Sequence, residues 1–237
     1  MTTSNDFEAR ERWAALVAAR AGGAVLDEAE VAFCEAFEAE RSFAANAAHE
    51  LRTPLAGALA QAQRLRAETQ EPATEARAAE IEAMLKRLTR LSERLMQLAR
   101  AEGGRLRQEQ LSDLRPVARV VTDELAKTSV EHRIVLSLPD VPVMSDLDPD
   151  AFGILCRNLV ENALRHGAGD LAVQVTLTAD GRLVVANDGP VVAREMLDRL
   201  TARFERANAS TDGSGLGLAI VAAIANRIGS SLVLRSP

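Results

Sequence analysis

Tyrosine is absent from the sequence, tryptophan occurs once, and aromatic residues make up only 3% of its 237 positions. Alanine and leucine dominate instead, and both are strong helix formers, so the composition leans toward helix. Cysteine is equally sparse. Cys34 and Cys156 stand far apart and match no metal-ligand spacing. Both lie in apolar patterns and read as buried free thiols, which suits a reducing, cytoplasmic compartment. An excess of positive charge is also missing: the net charge is −6, which argues against a generic nucleic-acid binder with its basic face. No apolar run approaches the roughly 20 residues needed to span a bilayer. Asp6, Glu8 and Glu11 occupy the region that a signal peptide keeps basic. The chain is therefore expected to be soluble as written, while remaining compatible with being the cytoplasmic part of something longer. Its length suits one large domain or two small ones.

The first forty residues read two ways. A helical segment from Phe7 to Arg20 is broken by Gly22-Gly23, and Asp27 is placed to cap a new helix with Glu28 and Glu30 in its first turn. The segment before it is either an input element or an extension that only packs. From Ala44 onward apolar residues fall into a heptad seam: Ala44, Ala48, Leu51, Leu55, Ala58, Ala62 and Leu65. Glu71-Pro72-Ala73-Thr74 interrupts it. A second seam follows at Ile81, Met84, Leu88, Leu91, Leu95 and Leu98, ended by Gly103-Gly104. Two such helices make an antiparallel hairpin. A second copy would cover both seams as a four-helix bundle dimer, and the alternative is packing against the rest of the same chain.

Beyond Gly104 the pattern is mixed. Strands are expected over 106–111, 133–138, 171–178, 182–186 and 231–234, with 179–181 as a hairpin turn. Helices are expected from Asp113 to about Lys127, from Asp148 or Asp150 through Leu164, and from Leu216 to Ile228. Pro139, Pro142 and Pro149 mark a loop. The expected architecture is α+β, with helices on one face of a mixed sheet.

Several constellations can carry chemistry. His49 lies just off the first seam, followed by Glu50 and Thr53, and Pro54 sits inside the helix, where it removes a hydrogen bond and favours a bend. Asn158 and Asn162 stand four apart on one helical face, with Glu161, Arg165 and His166 close by. Two amide oxygens so placed can hold Mg²⁺ beside a phosphate, or simply be solvated or capping. Asn187-Asp188-Gly189-Pro190 ends a strand, as an ordinary turn or as a reader of an adenine amino group. Gly213-Ser214-Gly215-Leu216-Gly217 opens a helix, whose N-terminal N–H groups attract phosphate. No lysine follows the last glycine, so it is not a Walker A loop. Arg87, Arg90 and Arg94 share one face of the second hairpin helix, either solvated or offered to an acidic partner.

Taken in order, these motifs resemble those of the bacterial two-component sensor histidine kinases. His49-Glu50-Leu51-Arg52-Thr53-Pro54 resembles the phospho-acceptor box, and Asn158 to Gly167 the asparagine box. Asn187 to Pro190 resembles the first glycine box, Arg203-Phe204-Glu205-Arg206 the phenylalanine box of the nucleotide lid, and Gly213 to Gly217 the second glycine box.

The resemblance implies a helical hairpin that forms a four-helix bundle on dimerisation, followed by an α/β sandwich of Bergerat (GHKL) type. The segments are 1–27 as extension or input, 28–103 for dimerisation and phosphotransfer, and 105–237 for ATP binding. It implies that His49 accepts the γ-phosphoryl group of ATP, Glu50 orients the ring and takes its proton, and Thr53 positions water for a reverse, phosphatase reaction. Mg²⁺ falls to Asn158 and Asn162. The nucleotide falls to Arg165, His166, Asn187, Asp188, Gly189, Phe204, Gly213, Gly215, Leu216 and Gly217. The implied partners are a second copy and the receiver domain of a response regulator. The alternatives are a regulator-binding scaffold without catalysis, and an ATPase or serine kinase of the same nucleotide fold. Two departures stand out. Asn187 occupies the place of the family's adenine-reading aspartate, with Val191 where a second glycine belongs. The sheet reads as one strand short after Leu232-Val233-Leu234.

Overall fold

The computed structural model describes residues 12–13, 15–17, 19–20, 22–103, 106–128, 134–168, 171–197, 199–203 and 214–236, with the backbone alone over 35–49. Helical residues between 12 and 20 end in a turn at Gly22-Gly23, closed by Ala24 N–H donating to the Ala19 carbonyl (3.0 Å). The Arg12 guanidinium lies 4.9 Å from the centre of the Phe33 ring, so this segment packs on the helix that follows. That helix, α1 (Glu28–Glu68), starts where Asp27 caps it. Asp27 Oδ1 accepts from Glu30 N–H (2.8 Å), and Glu30 Oε2 accepts from Asp27 N–H (2.9 Å), a reciprocal capping box. It runs through Pro54 and ends before Thr69. The second helix, α2 (Pro72–Gly103), opens on proline, the residue that loses least at the first helical position.

The hairpin is pinned near its turn. Ala62 and Ala78 are buried and let the helices approach. Glu82, 5% exposed, takes Arg66 and Lys86 at 2.6 Å each. The Lys86 hydrogen bond leads the groups that hold its carboxyl below the usual range. Only the carboxylate is buried, while both cations are about half exposed, so the pair of cations compensates a charge that would be costly to bury alone. Outside this pin, Leu51, Leu65, Ile81, Met84 and Leu88 remain 44–66% exposed. The lower seam behaves differently. Leu98 and Ala101 are buried in the core of the following α/β unit, and Leu91 and Leu95 pack against it. The second seam thus serves two partners.

That unit contains β1 (Arg107–Asp113), α3 (Arg115–Thr128), β2 (Ile134–Ser137), β3 (Met144–Leu147), α4 (Pro149–His166), β4 (Val173–Leu177), β5 (Leu183–Ala186), the short α5 (Arg194–Leu197) and α6 (Gly217–Arg227). β1 pairs antiparallel with β3. β4 sits between parallel β2 and antiparallel β5. In β4, Val173, Val175 and Leu177 are buried while Gln174 is exposed, the alternation of a sheet covered on one face. Val121, Leu125, Cys156 and Val160 of α3 and α4 cover it. Leu114, Phe152, Leu216, Ile220 and Ile224 form the adjoining core. Asp113 ends β1, and its Oδ1 accepts from the N–H groups of Arg115 (3.2 Å) and Val143 (3.0 Å). The Arg115 side chain, chiefly by hydrogen bonding, holds its carboxyl down to about 2.

Two expectations need correction. Met144–Leu147, read as loop between prolines, is a strand, because β1 supplies its ladder from far away in sequence. Residues 231–236 alternate in exposure as a strand would, but form no strand. Their recorded tie to the stretch after β5 is a side-chain bond, Val192 N–H to Ser236 Oγ (2.9 Å), and a strand needs a backbone ladder. Both cysteines are buried and unpaired, as expected. Among the described residues, no helix is long and apolar enough to cross a membrane.

Candidate functional site

α4 supplies the centre of the site. Asp148 fixes its start, with Oδ1 accepting from Asp150 N–H (2.9 Å) and Ala151 N–H (3.0 Å), and Pro149 follows. Its inward face is apolar except for Asn158, which is 3% exposed. A carboxamide buried this far needs partners, and Asn158 has three. Its Nδ2 donates to the Ile154 carbonyl (2.8 Å) and to Gln97 Oε1 (3.3 Å), while Oδ1 accepts from Arg94 Nη1 (2.8 Å). Arg94 Nη2 simultaneously meets Glu161 Oε2 at 2.5 Å. Asn162 is half-buried one turn further on, and Arg165 and His166 are exposed at the helix end. Partial desolvation, helped by Arg165, pushes the His166 imidazole below its ordinary pKa, so it is neutral at pH 7 and can accept a hydrogen bond.

The first glycine loop closes on this same helix end. Ala168 N–H donates to the Asp188 carbonyl (2.5 Å). A Cβ on Gly189 would run into the His166 carbonyl and lie 3.2 Å from Asn187 Nδ2. Only glycine allows that approach. Asn187 and Asp188 stay exposed beside it, available to a ligand's polar edge.

The second glycine loop meets α4 from the other side. A Cβ on Gly217 would lie 3.3 Å from Asn158 Oδ1 and 3.0 Å from Arg94 Nη1. Gly215 takes φ +67°, the left-handed region that other residues avoid. Leu216 is fully buried in the core and anchors the loop from beneath. As N-cap of α6 it offers no side-chain cap, so the first N–H groups of α6 are open to an anion. Ser214 Oγ is buried with no hydrogen-bond partner among the described residues. A buried hydroxyl, a helix start without a side-chain cap, a cleared glycine and the Asn158 amide oxygen are chemically suited to a nucleotide phosphate. Phe204 and Gly213 lie outside the described residues. Their neighbour Arg203 reaches back to the end of α2, with Nη2 at 2.6 Å from Glu102 Oε1.

The phospho-acceptor box lies on α1, where the structure describes the backbone of His49 but not its side chain. Glu50 and Thr53 are exposed. Arg52 crosses the hairpin to Glu93 at 3.4 Å. Arg94, the residue after Glu93, is the one that reaches Asn158. Of the arginine stripe, Arg87 and Arg90 are exposed, whereas Arg94, expected on the same solvated or partner-facing stripe, turns inward with its side chain 15% exposed. Gln97 and Glu102, also on α2, were not marked by any local signal, because their partners are distant in sequence.

Comparison with known proteins agrees with this geometry. Residues 39–104 match the model of the His Kinase A (phospho-acceptor) domain. Residues 147–237 match that of the histidine kinase-, DNA gyrase B-, and HSP90-like ATPases. The sensor histidine kinase TrcS of Mycobacterium tuberculosis is 36% identical over 198 residues, covering 78% of this chain and 39% of that protein. The sensor protein QseC of Salmonella typhi is 33% identical over 207 residues, covering 81% of this chain and 44% of that protein. The chain thus spans less than half the length of these relatives. The crystal structure of full-length ShkA in complex with AMPPNP shares the fold, with a TM-score of 0.62 at 24% identity over 79% of this chain and 41% of that one. A phospho-acceptor hairpin followed by an ATPase-family α/β unit places the chain in one family: it belongs to the bacterial two-component sensor histidine kinases.

Proposed function

We propose that the protein is an ATP-dependent histidine autokinase that passes its phosphoryl group to an aspartate on a response regulator. The observation that carries this reading is the approach of the α6 N-terminus to the Asn158 carboxamide, which juxtaposes two motifs distant in sequence. Residues 28–103 serve dimerisation and phosphotransfer, 105–237 bind ATP, and 1–27 form an extension or input segment. Asn187 and Asp188 read the adenine edge, with Gly189 clearing room for the ring. Arg165 and His166 line the site, and Phe204 packs the lid. Gly213, Gly215, Leu216 and Gly217 present backbone N–H groups to the phosphates.

Asn158 and Asn162 would hold Mg²⁺, which would supply charge neutralisation at the phosphate oxygens. A ring nitrogen of His49 attacks the γ-phosphorus, the bond from phosphorus to the β–γ bridging oxygen breaks, and ADP leaves. Glu50 orients the imidazole and takes its proton. A carboxylate on the response regulator then takes the phosphoryl group from His49. Thr53 positions water when that regulator is dephosphorylated. Exposed Leu51, Ile81, Met84 and Leu88 support a homodimer. A regulator-binding scaffold without catalysis is a second reading, favoured by Asn187 standing where the family places an aspartate.

Calorimetric titration with an Mg²⁺-bound non-hydrolysable ATP analogue tests the nucleotide site. The wild-type protein should bind and Asn162→Ala should not. Undiminished binding by Asn162→Ala would remove that residue from the metal site, and no binding by the wild type would favour the scaffold.

A further inference from the structure

We propose that Arg94 is a built-in occupant of the nucleotide site: a guanidinium from α2 that stands at the asparagine box and must withdraw before Mg²⁺–ATP can enter. The inference rests on the reading of that site as an ATP site, and goes beyond it by assigning a competitor from the chain itself.

Four observations converge on it. Arg94 Nη1 donates to Asn158 Oδ1 (2.8 Å), the oxygen that a metal would use. Arg94 Nη2 neutralises Glu161 at 2.5 Å, so the fork satisfies both an amide and a carboxylate of α4 as a divalent cation would. Nη1 also lies 3.0 Å from where a Cβ on Gly217 would be, placing the positive charge in front of the uncapped α6 start that phosphate needs. The side chain is 15% exposed, which separates it from the exposed Arg87 and Arg90.

The contact is part of a larger closure. Gln97, one turn below, accepts from Asn158 Nδ2 at 3.3 Å. Glu102, near the end of α2, takes Arg203 beside the lid at 2.6 Å. Leu91, Leu95 and Leu98 lie against the core that contains Leu216 and Ile220. One helix of the phospho-acceptor hairpin therefore touches the asparagine box, the second glycine loop and the lid margin together. Glu93 also reaches Arg52, three residues from His49. Arg94 thus follows directly the residue of α2 that reaches toward the phospho-acceptor box.

Competition of this kind lowers apparent affinity by the fraction of molecules already open. Arg94→Met keeps the length of the side chain and removes the charged fork. It should bind the Mg²⁺-bound ATP analogue roughly ten- to hundredfold tighter than wild type, the span equivalent to one hydrogen bond to a charged group. In nucleotide-free protein, amide hydrogen exchange over 217–227 should quicken in the variant and match the wild type once nucleotide saturates both. Glu161→Gln, which leaves Arg94 and Asn158 in place, should shift both readouts in the same direction by less, and serves if Arg94→Met does not fold. Wild-type binding with no tightening in either variant overturns the proposal, and weaker binding by Arg94→Met would instead make the arginine a nucleotide ligand. Absence of binding in both wild type and variants would sink the ATP reading itself.

Discussion

Truncating Ile81 to alanine tests the bundle. Ile81 lies on the α2 seam and is 49% exposed in the single chain, so about half of its surface is left for a partner. The change removes three carbons, worth about 0.8 kcal/mol each when fully buried, or roughly 2.4 kcal/mol in all. About half of that, roughly 1.2 kcal/mol, is lost on association. A two-fold interface presents the residue twice, giving about 2.4 kcal/mol per dimer. At 1.4 kcal/mol per tenfold, the dimer dissociation constant should rise about fiftyfold. Sedimentation equilibrium over a concentration series measures it directly. Val120→Ala is the control: Val120 is 56% exposed but lies on α3, away from the seam. A change of less than about threefold for Ile81→Ala, against the ~2.4 kcal/mol expected, would show that the exposed seam is not the dimer interface. Equal weakening by the control would do the same.

Other outcomes follow from the α/β unit. Ile220 is fully buried in the core beneath the second glycine loop, so Ile220→Ala should cost about 2–5 kcal/mol of stability in urea denaturation, and a loss under about 1 kcal/mol contradicts the packing. Asp113 titrates near 2 in the folded protein instead of 3.8. A depressed folded pKa gives stability that is present above the ordinary value and lost as pH falls through the folded one. The stability gap between wild type and Asp113→Asn should therefore shrink between pH 3.8 and about 2, and a gap unchanged over that window argues against the Arg115 pairing. Burial pushes the Cys156 thiol up to about 12. Iodoacetamide should leave it unmodified in native protein at pH 8 and alkylate it after unfolding, as read by mass spectrometry of its peptide, and rapid native labelling would place it at the surface.

Local signals made much of the fold legible. Asp27 with Glu30, Pro72 and Asp148 with Pro149 act within a few residues, and each helix begins where they stand. The five motif boxes were readable for the same reason, since each is a short run of fixed chemistry. Long-range pairing was not. β3 is only Met144–Leu147 and owes its existence to β1, whereas 231–234 carries strand-like residues without a backbone ladder. The heptad pattern identified which residues of α2 are apolar but could not say which partner each one meets. Leu98 goes to the α/β core while Met84 stays 66% exposed. The destination of Arg94 is illegible locally for that reason: it depends on how α2 docks, with partners 64 and 67 residues away.

His49 is the proposed acceptor of the γ-phosphoryl group of ATP. Incubating the full chain with Mg²⁺ and γ-labelled ATP, then comparing wild type with His49→Gln, tests this assignment most directly. The wild type should carry label that is lost in acid and stable in base, as expected of a phosphorylated ring nitrogen, and the variant none. Acid-labile label persisting on His49→Gln, or acid-stable label on the wild type, would contradict it.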